Sequence, residues 1–305
     1  MSGQELGREF NMDGGNCRRE IRSARVAFPD LPWRDDPRSR KRAAEVPASK
    51  VLVNPLGLSH GSRGIGVFDF HHPFHHERLW DNILRFTADF KPDVWVWGGD
   101  NEEMRAVSHW LHDGNKRRQL EGVRLVEDYE DFNTDALDPL NKILPRNCRR
   151  VMLKGNHEFW LDRYLDEHPE QVGTIEMERY LHLDGYELYD YGLSAAVGKL
   201  HFIHGEYINL HNAYKTVTVY GRNIVYGHGH TFQAHTQTTP LDMESHTAMQ
   251  VPCACVTNPE NCKNRPNAWL NGFLVFYVDE SGNFNTYPVI AVDGKFTAPN
   301  GKRYA

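Results

Sequence analysis

At 305 residues, 40% hydrophobic and 25% charged, the chain has material for one large α/β domain or two small ones, and wholesale disorder is excluded. A formal charge of -6 argues against a protein that coats nucleic acid by electrostatics alone, while leaving room for a local basic patch. No charged-then-apolar leader opens residues 1–10 and no run approaches the roughly 18 apolar residues of a membrane span, so a soluble cytoplasmic protein with no membrane partner is expected.

Residues 1–60 are Arg-rich and Pro-containing, with the dense run Arg34-Asp35-Asp36-Pro37-Arg38-Ser39-Arg40-Lys41-Arg42 and no sustained period. A partly irregular N-terminal extension is predicted there; its basic run reads either as a solvated arm or as a contact for a phosphate-bearing substrate. Residues 61–305 are expected to form the main domain. From Gly64 short apolar strands alternate with amphipathic helices, the pattern of a layered α/β domain. Leu79, Ile83, Phe86 and Phe90, with Trp80 and Leu84 beside them, recur at helical spacing and read as core, and Lys91-Pro92-Asp93 ends that helix before the strand Val94-Trp95-Val96-Trp97. Residues 105–143 read as one or two helices, Arg150-Val151-Met152-Leu153 as a strand, and 158–168 as another helix. Strands are predicted at 199–203 and 223–226. Beyond Thr231 the texture is β-rich, with Gly272-Phe273-Leu274-Val275-Phe276-Tyr277-Val278, a turn at Asp279-Glu280-Ser281-Gly282 and 283–292 forming a hairpin.

Five of these strands end in polar clusters: Asp69-Phe70-His71, Gly98-Gly99-Asp100, Gly155-Asn156-His157-Glu158, His204-Gly205 and Gly227-His228-Gly229-His230. Strand carboxyl ends form the ligand crevice of open α/β sheets, so these side chains can converge. Imidazole with carboxylate and amide oxygens, and no thiolate, suits Mn, Fe or Zn better than copper or an iron-sulfur cluster. Alternate side chains at the end of an extended segment project the same way, which gives Asp-x-His and His-x-His their reach to one centre. The glycines before Asp100, Asn156 and His228 permit tight turns and close backbone approach to a bound anion. Two metals about 3.5 to 4 Å apart would activate a water and clamp phosphoryl oxygens, which makes phosphate-ester hydrolysis the natural reaction. Each element alone has a bland reading in a chain with 17 histidines; five in one order, each at a predicted strand end, do not.

That ordered set resembles the calcineurin-like metallophosphoesterase superfamily, over about 64–230 and the β-rich tail. The resemblance implies a four-layer αββα sandwich of two mixed β-sheets flanked by helices, and two divalent metal ions, Mn foremost, with Fe, Zn or Ni as alternatives. By the same resemblance Asp69, His71 and His230 hold the first ion, Asn156, His204 and His228 the second, and Asp100 bridges them, with a metal-bridging hydroxide as nucleophile. His157 matches the family histidine that contacts the phosphate and protonates the leaving oxygen, and Glu158 would fix it in place. Departures narrow the match. Gly99-Asp100-Asn101-Glu102-Glu103-Met104 replaces the Gly-Asp-x-Val-Asp-Arg-Gly of Ser/Thr protein phosphatases, and no Tyr follows Asp100 at the purple acid phosphatase spacing. Lys154-Gly155-Asn156-His157-Glu158-Phe159-Trp160 and Pro266-Asn267-Ala268-Trp269-Leu270-Asn271-Gly272-Phe273 are more similar to phage-type and bacterial phosphoesterases labelled DNA-repair exonucleases. A phage-encoded member would act in the host cytoplasm.

Other residues carry two readings each. The five cysteines, Cys17, Cys148, Cys253, Cys255 and Cys262, fit reduced thiols; Cys253-x-Cys255 and Cys262 with His246 are either a structural zinc site or small buried residues at a strand end. His72, His75 and His76 either line the crevice or are solvated neighbours. Asn101 and Arg222 are candidate contacts for a substrate oxygen or phosphate, against an ordinary surface role for Arg222. The expected substrate is DNA, RNA or a nucleotide, cleaved as a phosphodiester. A phosphomonoesterase or nucleotide pyrophosphatase acting on small phosphates, and an inactive metal-binding scaffold, are the alternatives. Nothing in the sequence sets the oligomeric state.

Overall fold

The computed structural model describes residues 61–112, 120–241, 243–259 and 266–305. The predicted extension 1–60 with its basic run, and Cys262, lie outside the described residues. In chain order the elements begin with β1 (Ser62–Val67), α1 (Glu77–Phe90) and β2 (Val94–Gly98). After short helical turns at Arg105–Val107 and His109–His112 come α2 (Leu125–Phe132), α3 (Asp138–Ile143), β3 (Arg149–Leu153) and α4 (Asn156–Glu167). The second half holds β4 (Tyr186–Tyr189), β5 (Ala195–Val197), β6 (Leu200–Phe202), α5 (Asn212–Tyr220), β7 (Asn223–Tyr226), β8 (Gln233–Thr238) and β9 (Ser245–Gln250). The hairpin β10 (Asn271–Val278) and β11 (Phe284–Ala291) follows, then the short pair β12 (Phe296–Thr297) and β13 (Arg303–Tyr304).

Sheet I runs in the order β11-β10-β1-β2-β3-β4, with β1 to β4 parallel and the β10–β11 hairpin joined antiparallel at β1. Sheet II runs β5-β6-β7-β9-β8, with β6, β7 and β9 parallel. β2 explains how the sheets are layered. Every residue of Val-Trp-Val-Trp-Gly is buried, as a strand covered on both faces must be. Trp95 and Trp97 turn outward to a core shared with Trp80, Ile83 and Phe86 of α1 and with Phe132, Leu140 and Leu161. Val94 and Val96 turn the other way and pack with Phe68, Val151, Leu153, Phe202, Val225, Leu274 and Phe276 between the sheets. On the far side, Ile203, Ile224, Tyr226 and Ala248 meet Val217 of α5. The layers are therefore helix, sheet, sheet, helix: the αββα sandwich of two mixed sheets. At roughly 1.5–3 kcal/mol per fully buried Val, Leu or Phe side chain, the inter-sheet core fixes how the two sets of strand ends face each other.

Several boundaries differ from the periodicity, each for a local reason. α2 passes through a π-helical turn, Asn133–Leu137, into α3, and the wide turn buries Ala136 and Leu137 while Asn133 bonds Tyr180 and His182. α4 starts at Asn156, earlier than the predicted 158, because the Glu158 carboxylate reaches back to the Gly155 N–H at 2.7 Å and closes the first turn. α5 was not predicted: its Thr-Val-Thr-Val run disfavours a helix, and burial of Ala213, Thr216 and Val217 against sheet II decides instead. Among the described residues no helix is long and apolar enough to cross a membrane.

Candidate metal centre

The carboxyl ends of β1, β2 and β3 in sheet I and of β6 and β7 in sheet II bear the polar clusters, and His71, Asp100, Asn156, His157, His228 and His230 line one cleft of about 190 Å³. The donor side chains do not leave extended strands. β1 ends at Val67, and Asp69 (φ 50°), His71 (φ 52°), Asp100 (φ 49°), His228 (φ 70°) and His230 (φ 56°) are all left-handed. Each such non-glycine residue costs on the order of 1–3 kcal/mol and persists only where the surroundings hold it. Here backbone bonds from Asp69 to Gly99, His71 to Asp100 and His72 to Asn101 stitch the loops after β1 and β2 together at 2.9 to 3.1 Å. Two glycines clear space for the carboxylates themselves: a Cβ on Gly155 would overlap Asp100 Oδ1, and one on Gly227 would overlap Asp69 Oδ2.

The donors fall into two groups that share Asp100. His71 Nε2 faces His230 Nε2 at 3.1 Å, His230 Nε2 lies 3.4 Å from Asp69 Oδ1, and His71 Nε2 lies 3.7 Å from Asp100 Oδ2. On the other side His204 Nε2 is 3.2 Å from the same Asp100 oxygen and 3.1 Å from Asn156 Oδ1, with the His228 ring packed against His204. His204 gives its Nδ1 proton to the Gly98 carbonyl at 3.1 Å, which turns Nε2 toward the centre. Donor atoms of Asp69, His71 and Asp100 lie within 4.8 Å of one another, as do those of Asp100, His204 and His228. Asp69 and Asp100 are fully buried, and their ion-pair partners among the described residues are histidines rather than Lys or Arg. Buried carboxylates converging with imidazole nitrogens and an amide oxygen fit divalent cations of borderline hardness, so the residue set could hold metal.

Charge is balanced inside this cluster. Burial opposes the Asp100 charge, yet His204, His157 and His71 hold its carboxyl well below the usual range; burial opposes Asp69 too, and His230, with His204, lowers it. Burial also opposes a charged His71, but the Glu103 hydrogen bond and carboxylate, with Asp100 and Asp69, raise it to about 10; burial opposes His204 likewise, and Asp100 together with Asp69 and Glu158 raises it to about 9. His228 is lowered, by burial and then by His204.

Glu103 is the residue that the motif reading passed over. Its carboxylate accepts from His71 Nδ1 at 2.7 Å, and its backbone carbonyl accepts from His157 Nδ1 at 3.0 Å. The signal was its place three residues after Asp100, used only to set the chain apart from protein phosphatases. Glu158 does not hold His157, because consecutive helical side chains point to different sides. Its carboxylate instead accepts from the backbone N–H groups of Gly155, Asp100, Asn101 and Glu102, tying the loop after β2 to the first turn of α4.

The substrate-contact candidates lie apart from the cleft. Asn101 is buried with its amide given to the Leu153 carbonyl, and His72 is buried with Nε2 3.2 Å from Asp135. His75 stacks on Phe70, and His76 caps α1. Arg222 and His246 line a larger cavity of about 940 Å³ at the opposite, amino ends of the strands, together with Ser62, Arg149 and Asn223. With His246 there, no donor group among the described residues joins it to the cysteines. Cys253 and Cys255 are buried free thiols, and Cys255 Sγ lies 4.0 Å from His230 Nδ1, the ring nitrogen opposite the Nε2 that faces Asp69 and His71.

No family model matches the sequence, and no curated protein does. Among solved structures the chain is similar to a conserved uncharacterized protein from Streptococcus pneumoniae TIGR4, described as a predicted phosphoesterase. That match has 14% identity and a TM-score of 0.34 and covers 80% of this chain and 93% of that one. The chain is also similar to Vacuolar Protein Sorting 29 from Cryptosporidium parvum, at 13% identity and a TM-score of 0.42 over 78% of this chain and 95% of that one.

Proposed function

We propose that this chain hydrolyses phosphate esters with two divalent metal ions, and that its substrates are phosphodiesters of nucleic acid or nucleotides. The observation that carries the reading is the position of Asp100, whose carboxylate lies among the donors of both groups, 3.7 Å from His71 and 3.2 Å from His204. Asp69, His71 and His230 would hold one ion, Asn156, His204 and His228 the other, and Asp100 both. When bound, such ions, Mn foremost, activate water and neutralise phosphoryl charge. His157 would act as general acid: the Glu103 carbonyl fixes its Nδ1, and its Nε2 faces the cluster, 3.9 Å from Asp100 Oδ2, free to give a proton to a leaving oxygen bound there.

The diester preference rests on what lines the cleft. Among its described lining residues there is no Lys or Arg to meet the extra charge of a monoester dianion, while Phe74, Val256, Pro259 and Trp269 offer an apolar wall for a second ester group. The small volume of the cleft favours the second reading, a phosphomonoesterase or nucleotide pyrophosphatase on small phosphates. Hydrolysis of bis-p-nitrophenyl phosphate against p-nitrophenyl phosphate, with Mn added, separates the two. Diester cleavage is expected to be faster; monoester preference would move the assignment to small phosphates, and no cleavage with metal bound would leave a metal-binding scaffold.

A further inference from the structure

Cys255 is a buried nucleophilic group that the proposed chemistry leaves unused. Its side chain lines the same cleft as His71 and His230, and donor atoms of these three residues all lie within 4.8 Å of one another. The segment that carries it is fixed to the Asp69 loop on both sides. Ala254 N–H bonds the Phe68 and Asp69 carbonyls at 3.0 and 3.2 Å, and Val256 N–H bonds Phe74 at 2.8 Å. The Asn271 amide holds the Cys255 carbonyl at 2.6 Å. Cys253, two residues earlier, gives its thiol to the Leu270 carbonyl at 3.4 Å and is not part of the cleft wall.

We propose that Cys255 Sγ, which rests 4.0 Å from His230 Nδ1, turns to the Nε2 side on cation binding and becomes a further ligand of the cation held by Asp69, His71 and His230, so that this half of the centre is a mixed nitrogen, oxygen and sulfur site. The inference rests on the metal-centre reading above. A thiolate is a soft donor, and adding it to imidazole and carboxylate shifts preference from Mn²⁺ toward Zn²⁺, Co²⁺ and Cd²⁺. As the sulfur–metal bond forms, the thiol proton leaves to solvent, and the net charge of the occupied site falls by one. The two halves of the centre then differ in kind: one offers sulfur, while the Asn156, His204 and His228 half offers only nitrogen and oxygen. The strand-end motifs contain no cysteine, so the sequence pattern gives a donor set without sulfur. Cys255 enters from the segment between β9 and β10.

The test titrates the full chain with Co²⁺, following thiolate-to-metal charge transfer in the near ultraviolet and binding by calorimetry, in the native protein, Cys255→Ser and Cys253→Ser. The native protein and Cys253→Ser are expected to develop the charge-transfer band, and Cys255→Ser to bind Co²⁺ without it. The Zn²⁺-over-Mn²⁺ affinity ratio should fall about tenfold in Cys255→Ser. X-ray absorption at the zinc edge of the native protein, which needs no variant, should show a sulfur neighbour. Calorimetric binding with no sulfur signature in either spectrum would overturn this inference and leave the metal centre standing. Absence of binding to the native protein would overturn both.

Discussion

Glu103 Oε2 accepts the Nδ1 proton of His71 at 2.7 Å, and through its main-chain carbonyl the same residue also holds His157. One acidic residue thus aims a metal-donor nitrogen and the proposed general acid at neighbouring points. Glu103→Gln is expected to weaken cation affinity about 10- to 100-fold, with thermal unfolding still cooperative. Calorimetric affinity equal to that of the native protein would show that His71 needs no such partner.

His157→Ala should lower kcat for diester hydrolysis by about 10²- to 10⁴-fold while leaving metal content unchanged. The loss should be smaller for p-nitrophenyl esters than for alkyl esters, because a good leaving group departs without protonation. An equal loss for both would assign His157 to phosphate binding rather than proton donation. Asp100→Asn, by contrast, should remove both activity and metal, since its carboxylate serves both donor groups.

The raised His71 and His204 values, about 10 and about 9, fix the sign of a pH effect. At pH 7 both rings carry protons that a bound cation must displace, so apparent affinity should climb with pH and level off above about pH 10. Calorimetry at pH 7 in buffers of different ionisation enthalpy should report about two protons released from these rings. In chelator, folding favours the protonated rings. Their contribution to stability is fully present below about pH 6.5 and is lost as pH rises through 9 and then 10. Affinity independent of pH between 6 and 9 would contradict this assignment.

Gly155→Ala places a methyl against Asp100 Oδ1 and the Asp100 backbone nitrogen. Overpacking of this kind costs about 1–3 kcal/mol. The midpoint of urea unfolding should fall accordingly, and cation affinity with it. A stable variant with native affinity would mean that the loop after β2 can yield.

The layered class and the convergence of the strand-end side chains were legible because each left a strong local signal. The unbroken apolar run Val94-Trp95-Val96-Trp97 marks a strand covered on both faces, and Asp69, Asp100, Asn156, His204 and His228 each stand just past a strand. The rest was hidden for physical reasons. Left-handed backbone at Asp69 and His71 has no signature in residue type, since neither is glycine. Glu103 acts through a side chain and a carbonyl that only the folded loop aims. Cys255 lines the cleft from a segment more than 180 positions beyond Asp69, and Arg222 precedes a strand that ends in candidate ligands yet lies at its other end.

The facing imidazoles of His71 and His230 are separated by 159 positions of chain, and each grows from a different sheet. Because one ring stands on each sheet, the pair exists only where the two sheets are docked. A cation that needs both halves recognises the finished sandwich and not its parts. At one hundred times its dissociation constant it would add about 2.7 kcal/mol to the native state. Occupancy would then serve as a latch across the sheet interface, tightening a long-range architecture from a single point at its edge.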